Sequence, residues 1–94
     1  MIDLKQLRAQ IKERLDRETV AELLSFIGYA VTRDYYFAIR EENTPSAYIN
    51  TNGSLIDFGD GWHGDIVALL HEHHQQGLKD ATFYIASCLG VRYE

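Results

Sequence analysis

The sequence predicts an α+β domain, a small antiparallel sheet set between N-terminal and C-terminal helices, and three observations predict it. Leu4, Leu7, Ile11 and Leu15 recur at helical spacing. Tyr29 to Ile39 is rich in aromatic and β-branched residues, and Asn52-Gly53 beyond it is a strong hairpin signal. Two more helical stretches follow, each closed by a glycine, Gly77 and Gly90. Helical patterns on both sides of a strand-rich centre give the α+β order.

The first stripe makes residues 3–16 an amphipathic helix, with Lys5, Arg8 and Lys12 forming a basic ridge beside it. A ridge of this kind ordinarily serves as a solvated face. Thr19-Val20-Ala21-Glu22 has capping-box spacing, so a second helix is expected to start there, run through Leu23, Leu24 and Ile27, and stop at Gly28. Tyr29 to Ile39 reads as two short strands turning at Arg33-Asp34. Ala47–Asn50 and Leu55–Phe58 flank the hairpin turn Thr51-Asn52-Gly53-Ser54, and a glycine-rich loop runs from Gly59 to Gly64. Helices are expected over Asp65–Gln76 and Asp80–Leu89. The chain therefore reads as one domain over 1–94: helical at 1–28, sheet at 29–58, a glycine-rich knuckle at 59–64, and helical at 65–94.

Composition narrows the function classes. Hydrophobic residues make up 46% and charged residues 24%, the proportions of a globular chain. Cys88 is the single cysteine, which rules out a disulfide within the chain and fits a reducing cytoplasm. No apolar run approaches the roughly 20 residues of a membrane span. The net charge of −5 and pI of about 5.2 argue against non-specific duplex binding. The charge is also uneven. Between Asp34 and Leu78 the one basic residue is Arg40, facing Asp34, Glu41, Glu42, Asp57, Asp60, Asp65 and Glu72.

Candidate chemistry is sparse. His71-Glu72-His73-His74 lacks the His-Glu-x-x-His spacing of a metalloprotease, because position 75 is Gln. These histidines suit the last turn of a helix, where positive charge meets the dipole. Cys88, between Ile85 and Leu89, reads as a buried core thiol with no base spaced to activate it. Trp62 in the glycine loop is either a contact residue or a lid on the core. Alternation places Tyr36 and Tyr48 on one strand face, with Arg33 and Arg40 nearby.

One resemblance gathers these features. Thr44-Pro45-Ser46, then a hairpin, then Asp57-Phe58-Gly59-Asp60-Gly61, then Gly64-Asp65 entering a helix, resembles the zinc-binding domain of bacterial DNA primase over residues 15–92. The resemblance implies a sheet of that type, and it places Phe37, Arg40, Asp57 and Asp60 at the four zinc-ligand positions. Neither a phenyl ring nor a guanidinium can ligate zinc, so no metal and no cofactor are expected. With the family geometry, Arg40 would bridge the two aspartates while Phe37 filled the remaining volume. The resemblance also implies a non-catalytic module, with no small-molecule substrate, working in DNA replication or mobile-element biology. Its expected partner is single-stranded DNA or a replication protein. Arg33, Tyr36, Arg40, Tyr48 and Trp62 are then the candidate contacts. A protein-interaction or inhibitory module that leaves DNA untouched is the alternative, favoured by the acidic centre of the chain.

Overall fold

The first helix, α1 (Leu4–Arg14), begins where the Asp3 carboxylate accepts the amides of Lys5 and Gln6. This computed structural model describes residues 3–39 and 45–91. Leu7 and Ile11 of α1 are buried, and Leu15 just beyond it completes the stripe. Helix α2 (Arg17–Ile27) starts earlier than the capping box suggests. Asp16 is its N-cap and accepts the Thr19 amide at 2.8 Å, which leaves Thr19 inside the first turn. Aspartate outranks threonine as a cap, and it comes first in the chain. The helix ends at Gly28 as expected.

Only half of the expected first hairpin forms a strand in the described region. The chain does turn at residues 33–34, with the Tyr35 amide donating to Thr32 O, and the Thr32 amide donates to Tyr36 O. Strand β1, however, is confined to Tyr36–Phe37. Tyr29 and Val31, expected on a strand, instead lie partly buried against the core. Their aromatic and branched side chains serve packing, and packing can override strand propensity.

Strands β2 (Ala47–Ile49) and β3 (Leu55–Asp57) flank the predicted turn. Gly53 has φ +87, and a Cβ there would meet the Leu15 carbonyl oxygen at 2.8 Å. The hairpin tip therefore sits directly on the α1–α2 junction, where only glycine fits. A fourth strand, β4 (His63–Gly64), arises within the expected knuckle. The sheet is antiparallel in the order β1-β2-β3-β4.

Register separates the faces. Phe37, Ala47 and Asp57 stand opposite one another, as do Ile49, Leu55 and Gly64, and the apolar members of both rows are buried in the core. Tyr36, Tyr48, Ile56 and His63 form the row between, which alternation turns to the other face.

Helix α3 (Ile66–His73) starts at the Asp65 cap and stops three residues short of the expected Gln76. Gln75 takes the left-handed conformation at φ 57, and the amides of His74 and Gln76 both return to Leu70 O. Gly77 is extended and caps the start of α4 (Leu78–Leu89), two residues before the expected Asp80; that helix ends at Gly90. Helix α4 packs against both α1 and α3, and α2 packs against β2. Cys88 is exposed, contrary to expectation. The buried positions Ala81, Thr82, Ile85 and Ala86 centre a stripe from which residue 88 is turned by about 90°. No helix among the described residues is long and apolar enough to cross a membrane.

Candidate nucleic-acid interface

The most elaborate side-chain cluster stands at the β1–β2 end of the sheet. Cross-strand pairing sets Tyr36 opposite Tyr48, with ring centroids 4.9 Å apart. The Arg17 guanidinium lies 5.3 Å from the Tyr48 ring and 4.6 Å from the Tyr35 ring. It thereby joins the aromatic series by cation–π contact. Its Nε–H donates to Ile49 O at 3.1 Å, and a terminal N–H donates to the Tyr48 hydroxyl at 2.6 Å. Tyr35 is held at φ 68, unusual for a bulky residue, while its carbonyl accepts the Ile49 amide. Its hydroxyl donates to the Glu18 carboxylate, and that bond raises the phenol above its ordinary pKa. Tyr36 remains 38% exposed, enough ring for a base to stack on.

Arg17 was not among the residues the sequence singled out. One signal was available: a cation in the first turn of a helix opposes the dipole, so its retention there needs a tertiary reason. Of the expected contacts, the structure brings together Tyr36 and Tyr48. Arg33 is exposed and lines a shallow groove with Glu18, Glu22 and Tyr35. Trp62 belongs elsewhere. Its ring meets His73 of α3 edge-on at 5.0 Å, and its indole N–H donates to Glu72 at 3.1 Å. It lies close over Gly64, so it lids α3 rather than extending the tyrosine row. Arg40 lies outside the described residues, and with it the expected bridge to Asp57 and Asp60.

The remaining zinc-ligand positions do not suit zinc. Phe37 is fully buried and packs edge-on against Tyr29 at 5.5 Å, so it fills core volume. Asp57 is 1% exposed, and its Oδ1 accepts the Ser46 hydroxyl and the Gly59 amide, both at 2.8 Å. Asp60 is exposed and accepts the Trp62 amide at 2.9 Å. The turn is closed by the Gly61 amide on Asp57 O, with Gly61 at φ +80. Both carboxylates thus organise the backbone of the knuckle, a use of Asp that needs no metal.

The histidines have hydrogen-bond partners too. His74 Nε2 lies 2.7 Å from the Tyr29 hydroxyl, and His71 Nδ1 lies 2.7 Å from Gln76 O. No three His, Cys, Asp or Glu side chains converge on a metal-sized site among the described residues. No protein-family model, curated protein or solved structure matches the chain, so the site is read from its own chemistry.

Proposed function

We propose that the chain is a non-catalytic, zinc-free module that contacts single-stranded DNA in DNA replication or mobile-element biology. The reading follows the resemblance to the primase zinc-binding domain. The observation that carries it is the series Tyr35, Arg17, Tyr48, Tyr36, ending in an exposed ring on the sheet. Stacking on an aromatic tolerates any base, and a neighbouring guanidinium adds attraction for nucleic acid.

Fluorescence anisotropy with a labelled oligothymidylate and with a duplex of equal length tests the reading. Single-strand binding should be weak, exceed duplex binding, and fall about tenfold in Tyr36→Ala, as expected for one lost base stack. Equal affinity for duplex, or no effect of Tyr36→Ala, would sink it. About one zinc per chain by elemental analysis would remove the metal-free part of the proposal.

A second reading, a protein-interaction module, draws on a different place. Phe26 is 73% exposed beside a groove lined by Leu23, Leu89 and Cys88, between α2 and α4. Exposed apolar rims of this kind suit a protein partner such as a replication protein. If Phe26→Ser abolishes a function in cells that Tyr36→Ala leaves intact, this reading takes precedence.

A further inference from the structure

A groove of about 450 Å³ opens between α1 and the β3–β4 hairpin, and its lining carries more cations than carboxylates, although the chain as a whole is acidic. Arg8 and Lys12, one turn apart on α1, stand on one side; Asn50, Ser54 and His63 stand on the other. Ile56 also lines it. The one carboxylate in the lining is Asp65. Its Oδ1 accepts the Ala68 amide as the cap of α3, and its Oδ2 lies 3.7 Å from Arg8. Two cations therefore face a single carboxylate that is already engaged. Lys12 is exposed, which leaves its ammonium accessible to a ligand.

Ile56 stands opposite Tyr48 on one side and His63 on the other. The groove thus lies where the tyrosine row ends, with His63 about 14 Å from Tyr36 at three strand spacings, and Leu55 and Gly64 of the inner row line it as well. An aromatic platform running into a basic groove is the arrangement that lets a single strand stack its bases and lay down its phosphates. Among the described residues the opposite flank offers no such path, because Arg33 shares its groove with Glu18 and Glu22.

We infer that the α1–hairpin groove, through Arg8 and Lys12 with His63 at its rim, is a backbone-phosphate site for the strand whose bases stack on Tyr36. The inference rests on the single-strand reading above and assigns the basic ridge of α1 a binding role instead of a purely solvated one. It also fixes the path of the strand, across β2 and β3 toward β4.

The test is anisotropy titration of an oligothymidylate of about twelve nucleotides at several salt concentrations. Lys12→Gln should weaken binding and make the salt slope shallower by about 0.7, the loss of one phosphate contact on a single strand. Tyr36→Ala should weaken binding with the slope unchanged. Lys79→Gln, on α4 away from the groove, is the control and should do neither. Circular dichroism on each variant checks the fold, and the exposed Lys12 side chain makes that substitution benign. If Tyr36→Ala weakens binding while Lys12→Gln alters neither affinity nor slope, the groove is not on the path and this inference falls, with the single-strand reading intact. If the wild-type chain binds no single strand, both fall. Competition by inorganic phosphate well beyond that of chloride at equal ionic strength would mean the groove takes small anions alone, and would also overturn it.

Discussion

The two ends of the sheet are held by opposite devices. At the knuckle end, Asp57 and Asp60 accept amides two residues away, and the turn closes on itself through Gly61. At the other end, Arg17 reaches across 31 and 32 residues of sequence to Tyr48 and Ile49. One end is acceptor-rich and mostly local, though the Ser46 hydroxyl reaches Asp57 across 11 residues. The other is long-range and, among the described residues, depends on one cation with a planar, multi-donor head. The local device forms as soon as its turn forms, whereas the long-range one exists only once α2 has docked on the sheet. A surface built on the second device is correspondingly coupled to the global fold.

The largest expected effect probes that coupling. Arg17→Ala removes two charge-assisted hydrogen bonds and two ring contacts, and leaves Ile49 O without its side-chain donor. It should cost about 3 kcal/mol in urea melts. Arg17→Lys should recover only part, because an ammonium lacks the fork that serves two acceptors at once. A loss below about 1 kcal/mol in Arg17→Ala would place the guanidinium with ordinary surface pairs and erase the contrast between the two ends.

The knuckle should yield somewhat less. Asp57→Ala removes the buried acceptor of the Ser46 hydroxyl and the Gly59 amide and should cost about 2 kcal/mol. Asp57→Asn keeps an acceptor oxygen and should lose clearly less. Equal losses in the two variants would show that the negative charge, and not the acceptor geometry, is what the turn requires.

The smallest effect sits beside Arg17 and sharpens the comparison, because it is a local device at the long-range end. The Thr19 backbone amide and side chain, both hydrogen-bonded to Asp16, hold its carboxyl below the usual 3.8. A folded-state pKa below the unfolded one gives stability that is fully present above the unfolded value and lost as pH falls through the folded value. Acid melts below about pH 4 should therefore show a shallower decline for Asp16→Asn than for the wild type, since asparagine caps without titrating. Parallel declines would mean the cap is not coupled to global unfolding.

The legible parts of this molecule were those whose cause lies within a few residues. The stripe of Leu7, Ile11 and Leu15, the Asn52-Gly53 turn and the Gly28 and Gly90 helix ends are all read from spacing alone. Tyr36 facing Tyr48 was legible for the same reason, since alternation within short strands settles the face. Misreadings clustered where two local signals competed. Asp16 outcompeted Thr19 as a cap, and Gln75 turned the chain before Gly77 did. Cys88 was misplaced because its apolar neighbours concealed its angle from the centre of the buried stripe.

By itself, then, the sequence determined the α+β order, the helix periodicity and the hairpin. Each of these is a consequence of φ/ψ preference or of hydrogen bonds spanning four residues or fewer. Only the tertiary structure decided that Arg17 would enter the tyrosine series, that Trp62 would lid α3, and that Arg8 and Lys12 would share a groove with His63. Those pairings join residues some 10 to 55 positions apart, and no local energy term distinguishes them from the alternatives. They are selected when the core closes. The buried side chains of four helices and the inner sheet face must then fill one volume, and the polar side chains outside it take whatever neighbours that packing provides.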